Sequence, residues 1–306
     1  MREFDLLRTV YGQNAALPAS VTIPPGDDMG EVRWPGGERL LVAVDQVIAG
    51  RHVRPDEDPR LIGRKAVARN VSDIAAMAAN PLASVVACCL PPDWDEPRAL
   101  ALFEGLRESA SRWSCPLVGG DLSFGAPGDP LVVSVTVLAT PRDRAITRRG
   151  SRDGDGVFVT GSLGGSLAPD GGGRHLSFEP RLAESHAILA ALDDRLHAMI
   201  DLSDGLGRDA GHLVEGTGLS IELDAPAIPR NPGCDLRAAL GDGEDYELLF
   251  TASGAVPESV AGTKVTRIGS VCPRVPGRPA VSIVLDGRAA DASELGWEHR
   301  AGGGLA

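Results

Sequence analysis

Short apolar runs alternate with longer amphipathic stretches along the chain, the pattern of a mixed α/β protein. Residues 2–10 place Phe4, Leu7 and Val10 at helical spacing and predict a short amphipathic helix. Pro24-Pro25-Gly26 stops any regular element. Residues 40–45 are apolar and partly β-branched, which predicts a strand buried on both faces with Asp45 at its end. A helix is expected over 60–79, bounded by Pro59 and Asn80-Pro81, and another over 96–113. Strands at 82–90, 116–118 and 131–139 complete a first half with four strands. The polar, Gly-rich segment 148–155 suits a domain junction, and the chain divides into domains of residues 1–145 and 146–306. Beyond the junction come a strand at 157–160, a Gly-rich stretch over 161–173 and helices near 180–192 and 204–215. Strands follow near 219–223, 246–252, 265–271 and 281–285, and residues 301–306 read as a frayed tail. No fixed-period repeat is present, which sets aside solenoids and propellers.

Charge narrows the partners. The 306 residues carry a net charge of -12, so no basic stripe is available for nucleic acid or an anionic membrane. An anionic substrate would need metal ions as intermediaries. The five cysteines are an odd number without Cys-x-x-Cys spacing, which suggests neither a disulfide framework nor a zinc site. They read as reduced thiols of a cytoplasmic protein, and no apolar segment approaches membrane-spanning length.

The chemistry concentrates in short Gly/Asp pieces: Gly26-Asp27-Asp28, Asp45, Asp73, Gly119-Gly120-Asp121, Asp201-Leu202-Ser203-Asp204-Gly205 and Gly243-Glu244-Asp245-Tyr246-Glu247. Carboxylates at sharp backbone turns are suited to hard divalent cations, and Mg2+ usually accompanies phosphate. Each piece also has an ordinary reading. Gly26-Asp27-Asp28 and Gly119-Gly120-Asp121 fit simple turns. Ser203 or Asp204 fits a helix N-cap, and Glu244 and Asp245 fit turn acids. Asp73 stands out because its predicted helix surrounds it with Ile74, Ala75, Ala76 and Met77, so it is either on a solvated helix face or a directed ligand. Lys65 and Lys264 are the only lysines, and neither lies in a Gly-x-x-x-x-Gly-Lys-Ser/Thr loop, which excludes a P-loop kinase. Protein-kinase, Gly-x-Ser-x-Gly and His-Glu-x-x-His signatures are absent, and Gly161-Ser162-Leu163-Gly164-Gly165 lacks dinucleotide-loop spacing. Phosphate chemistry without a P-loop remains.

The order of these pieces, with Lys65 to Met77, Arg144 to Gly150 and Met199 to Leu206, resembles the thiamine-monophosphate kinase family. That family lies in a superfamily with aminoimidazole ribonucleotide synthetase and selenophosphate synthetase. The resemblance implies a two-domain α/β (α+β) architecture. The N-terminal four-stranded mixed sheet would pair across a homodimer into a barrel, and an α+β C-terminal domain would complete the cleft. It implies ATP as co-substrate, several Mg2+ ions, thiamine monophosphate as acceptor, and direct in-line transfer. By motif position, Asp28, Asp45, Asp73, Asp121, Asp201 and Asp204 would be metal ligands with Asp27 adjacent, and Asp73, Asp121 and Asp204 would be central to catalysis. Gly120, Asp121, Arg148 and Ser203 would contact ATP. His52, Glu244 and Trp297 would contact the thiamine portion, although Trp297 fits a core anchor equally well. The family usually has hydroxyl residues just before the aspartate matching Asp45, where this chain has Ala43 and Val44, so the number of ions stays open. A related enzyme with another acceptor, and a non-catalytic nucleotide-binding homologue, stay open beside the kinase.

Overall fold

The computed structural model describes residues 6–7, 9–11, 17–285 and 287–297. Residues 6–7 and 9–11 are helical, and the remainder of the N-terminal helix expected over 2–10 lies outside the described residues, as does the tail at 301–306. Among the described residues, no helix is long and apolar enough to cross a membrane, and the five cysteines are free.

The first sheet contains β1 (Val21–Ile23), β2 (Gly30–Arg33), β3 (Arg39–Ile48), β4 (Ala79–Leu90), β5 (Leu117–Phe124) and β6 (Val132–Pro141). Their spatial order is β1-β2-β3-β6-β4-β5, antiparallel except for the parallel pair β4 and β5. Six described strands replace the expected four, because β1 and β2 are only three and four residues long and carry too little periodicity to stand out. The strand expected to end at Asp45 continues to Ile48 and is buried on one face only. Leu41 and Val47 are inside, whereas Val44 is 59% exposed. Gly119-Gly120-Asp121 is a strand segment rather than a turn.

The helix α1 (Pro59–Ala76) starts at Pro59, with the Asp58 side chain accepting the Arg60 N–H at 2.9 Å. It ends three residues before the expected limit, because Ala78 turns left-handed at φ 50°. Asn80-Pro81 therefore opens β4, where Pro81 sits at a register shift that tolerates its missing donor. Val71 and Ile74 of α1 and Met77 just after it join Val133, Val135 and Val137 in the first core, while Ala75 contributes to a second cluster with Ile146, Leu248 and Phe250. α1 is thus packed between the two sheets. Its outer neighbour is α2 (Glu96–Arg112), and Gly63 and Gly105 let the two backbones touch. A Cβ on Gly63 would lie 2.5 Å from the Leu102 carbonyl oxygen, and one on Gly105 would lie 2.2 Å from that of Arg60.

The second sheet is ordered β14-β13-β9-β12-β7-β10-β8, with β11 (Ser259–Val260) beside β12. Its strands are β7 (Gly156–Thr160), β8 (Leu196–Asp201), β9 (Leu219–Leu223), β10 (Leu248–Ala252), β12 (Thr263–Pro273), β13 (Val281–Leu285) and β14 (Arg288–Asp291). Helices α3 (Leu182–Leu192), α4 (Leu206–His212) and α5 (Leu236–Gly241) connect them. The sequence pattern misses β8. Its Leu-His-Ala-Met-Ile lacks strand-forming bias, and it follows α3 after only Asp193-Asp194-Arg195. Pairing with β10 decides it, through Ile200 opposite Leu249 and Asp201 opposite Leu248.

Gly105→Ala should destabilise the protein by about 1–3 kcal/mol, since the clash is with rigid backbone. Urea unfolding checks this, and an unchanged midpoint would refute the tight α1–α2 contact.

Candidate active site

Three carboxylates from remote parts of the chain converge. Asp28 follows the Pro-Pro-Gly turn after β1, where Gly26 adopts φ 114°. Asp73 projects from the last turn of α1, and Asp201 ends β8. One oxygen from each lies within 4.8 Å of the others, and Asp28 and Asp201 are 8% and 3% exposed. Like charges this close, away from water, resist ionising together. Burial first, then the neighbouring Asp28, pushes Asp201 up to about 7. Asp73 is raised well above the usual carboxylate range by burial and then by Asp45, Asp201 and Asp28.

Positive charge partly offsets the repulsion. Arg148 Nη2 donates to Asp28 Oδ1 at 2.6 Å, and its backbone N–H donates to Asp27 Oδ1 at 3.0 Å. Asp27 is nonetheless raised to about 6, chiefly by burial and by Asp28. Burial alone would lower Arg148, but Asp28 and its neighbours outweigh this, so the guanidinium stays charged. Arg148 Nε and Asp28 Oδ2 are buried without hydrogen-bond partners among the described residues. An all-oxygen cluster with an unsatisfied carboxylate oxygen fits a hard divalent cation such as Mg2+.

A cavity of about 660 Å³ opens over this cluster, and Asp45, His52, Ser203 and Asp204 also line it. Asp45 lies within β3, where its N–H donates to Asn70 Oδ1 at 3.0 Å and its carboxylate pairs with Arg69 at 3.2 Å. His52 Nδ1 accepts the Ile48 N–H at 3.0 Å, which fixes its tautomer with the proton on Nε2 when neutral. Neither Ser203 nor Asp204 caps α4. The cap position is Gly205 at φ 108°, and Asp209 reaches back to accept the N–H groups of Asp204 and Gly205 at 3.0 and 3.2 Å. The Ser203 and Asp204 carbonyls accept the N–H groups of Glu244 at 2.7 Å and Trp297 at 2.8 Å, which seats both residues beside the site. Glu244 forms an ion pair with the fully buried Lys65, whose ammonium also lies 2.7 Å from His175 Nδ1. Burial works against the Glu244 charge, but Lys65, His175 and Arg69 outweigh it and lower its pKa.

Gly120 and Asp121 do not join this group. They lie on β5, separated from β3 by β6 and β4, and line a different groove. Gly120 has a packing role of its own, because a Cβ there would lie 2.1 Å from the Val86 carbonyl oxygen. Arg69, Ser72, Asp209 and Lys65 also belong to the site, although no local motif marks them as such. Ser72 Oγ donates to Asp201 Oδ2 at 2.5 Å. Lys65, Arg69 and Asp73 recur every fourth residue on one helix, a spacing that places three charges on one face and could have flagged the first two.

Residues 26–140 match the family model described as AIR synthase related protein, N-terminal domain. The thiamine-monophosphate kinase of Rhodopirellula baltica is 34% identical across 89% of this chain and 90% of that protein. The thiamine-monophosphate kinase of Salmonella typhimurium is 32% identical across 97% and 98%. Among solved structures, AaThiL complexed with AMPPCP and TMP superposes with a TM-score of 0.79 at 26% identity, covering 98% of this chain and 97% of that one.

A carboxyl group raised on folding makes the folded state bind the extra proton, so its stabilising contribution is full below the unfolded value and is lost as pH rises through the folded one. For Asp201 that window runs from 3.8 to about 7. In chelator-treated protein, stability should therefore fall across this window. Asp201→Asn should flatten the fall and stabilise the protein at neutral pH by on the order of 1 kcal/mol. Urea midpoints measured against pH check this; parallel curves for the two proteins would contradict it.

Proposed function

The chain belongs to the thiamine-monophosphate kinase family, and we infer that it transfers the γ-phosphoryl group of ATP to thiamine monophosphate, giving thiamine diphosphate and ADP. The observation that carries this reading is the convergence of Asp28, Asp73 and Asp201 beside Arg148 in a cavity of small-molecule size. A relative of the same fold is complexed with AMPPCP, an analogue of ATP, and TMP, which supports a cavity that takes nucleotide and acceptor together.

Divalent cations held by Asp28, Asp73 and Asp201, with Asp45 and Asp204 at the cavity wall, would neutralise phosphate charge that the carboxylates alone would repel. The protein's own residues position the reactants. Arg148 is fixed by Asp28 and keeps Nε available for a phosphate oxygen. His52, Glu244 and Trp297 frame the thiamine end, Glu244 being held ionised by Lys65. A phosphate oxygen of thiamine monophosphate attacks the γ-phosphorus in line. The bond from that phosphorus to the β–γ bridging oxygen breaks, ADP leaves, and a new phosphoanhydride is formed. The attacking oxygen is already anionic, so no side chain has to remove a proton.

Asp121 enters through a second copy of the chain. Among the described residues β5 is an edge strand with only β4 beside it, and Val118, Leu122 and Phe124 on it are 65%, 50% and 66% exposed. An exposed apolar edge of this kind favours pairing with another chain. A homodimer in which β5 adds to the neighbouring sheet carries Gly120 and Asp121 toward the partner's cavity, where they serve ATP and its metal. Residues 1–145 then form the dimerising domain and 146–306 the domain that closes the cleft. The free cysteines suit a reducing cytoplasm.

Purified protein given MgATP and thiamine monophosphate should yield equal thiamine diphosphate and ADP, with both lost on chelation. Chromatography reads both products, and ADP alone would redirect the search to another acceptor. Asp73→Asn and Asp121→Asn should each lower kcat by roughly 100-fold or more in a folded protein. Mixing the two inactive variants under subunit exchange should restore up to about a quarter of wild-type activity, because half the dimers then contain one intact composite site. No recovery in a mixture shown to exchange subunits would refute the shared site.

A further inference from the structure

Tyr246 carries two separate costs. Its backbone is left-handed at φ 52°, which a bulky side chain rarely adopts. Its phenol is buried, the residue being 2% exposed, and the hydroxyl has no hydrogen-bond partner among the described residues. The surroundings hold this conformation firmly. The Tyr246 N–H donates to the Leu202 carbonyl at 2.8 Å, and its ring stacks on Phe178 with centroids 3.9 Å apart and planes 12° from parallel. The side chain lines the cavity over Asp45, Asp73 and Asp201.

A phenylalanine would keep the stack and remove the unsatisfied group, so packing alone gives no reason for the hydroxyl. Burial raises the phenol well above its ordinary range, which leaves the group a hydrogen-bond donor at neutral pH. The carboxylates around it are engaged elsewhere: Asp45 with Arg69, Glu244 with Lys65, and Asp201 with Ser72. None of these carboxylates accepts from the Tyr246 hydroxyl, and an anionic oxygen brought into the cavity by a ligand is an acceptor of matching chemistry.

We propose that Tyr246 is a substrate-contacting residue whose hydroxyl donates a hydrogen bond to a phosphate oxygen bound in the cavity, on either the acceptor phosphate or the γ-phosphate of ATP. The proposal rests on the kinase reading for the identity of the phosphates and on the orphaned hydroxyl for the contact itself.

Tyr246→Phe separates contact from packing, because the two roles move stability and activity in different directions. The melting temperature should be unchanged or raised, while kcat/KM falls roughly ten-fold or more, the usual scale for a hydrogen bond to a charged group. A rise in KM for thiamine monophosphate places the bond on the acceptor, a rise in KM for ATP places it on the nucleotide, and a fall in kcat alone places it in the transfer step. Unchanged kinetics at equal stability would overturn the proposal. So would a lower melting temperature, since the hydroxyl would then be bonded within the protein. Calorimetric titration of wild type and variant with MgATP, and separately with thiamine monophosphate, needs no turnover. Wild-type binding without formation of thiamine diphosphate would refute the kinase reading alone. In that case equal affinities of the two proteins for both ligands overturn the contact, and weaker binding by Tyr246→Phe supports it.

Discussion

Repulsion among Asp28, Asp73 and Asp201 is the constraint on which the rest of the molecule depends. Three carboxylates within 4.8 Å and largely shielded from water would drive their segments apart unless the surrounding structure held them. The covalent chain does little of this, since the three lie on a turn, a helix and a strand far apart in sequence. Packing supplies the restraint. α1 is wedged between the two sheets, and the backbone contact at Gly63 and Gly105 fixes it from outside. Arg148 and Ser72 then hold two of the carboxylates by direct hydrogen bonds. The same arrangement that strains the protein without a cation favours a cation when one arrives, because binding removes the repulsion.

The segment Gly243 to Glu247 joins the two sheets around this site, and each acidic residue in it reaches a different partner. Glu244 pairs with Lys65 of α1. Asp245 accepts from the Gly164 N–H at 3.0 Å, from Ser166 Oγ at 2.8 Å and from Arg174 at 2.7 Å, which pins the Gly-rich stretch after β7. Glu247 is gripped by Arg181 and accepts from Thr160 Oγ1 at 2.6 Å. Gly161 turns left-handed at φ 60° there, and a Cβ would lie 2.2 Å from Glu247 Oε1. What reads in sequence as a cluster of turn acids is a bracket whose buried charges are all matched, the condition under which burying them is tolerable.

Much of this was legible from residue order alone. The Gly/Asp pieces, the helix around Asp73 and the absence of a P-loop point to metal-assisted phosphate chemistry, because close backbone approach and hard oxygen ligands leave local marks. Both long helices were also visible: α1, buried around most of its surface, through the bounding Pro59 and Asn80-Pro81, and α2 through its length and the apolar side it turns inward. The limits of that reading were the elements fixed by partners. β8 is a strand because β10 pairs with it, Asn80-Pro81 opens β4 because the chain reverses at Ala78, and Gly119 to Asp121 is extended because β4 lies alongside. The sequence by itself determined which ligand atoms the protein carries and in what order. Only the tertiary structure decided which of them meet: Asp28, Asp73 and Asp201 share one point, Asp45 is turned toward Arg69, and Asp121 stands three strands away. The physical reason is that metal ligation and charge compensation depend on distances between remote segments, which are set by sheet register and helix packing rather than by any local pattern.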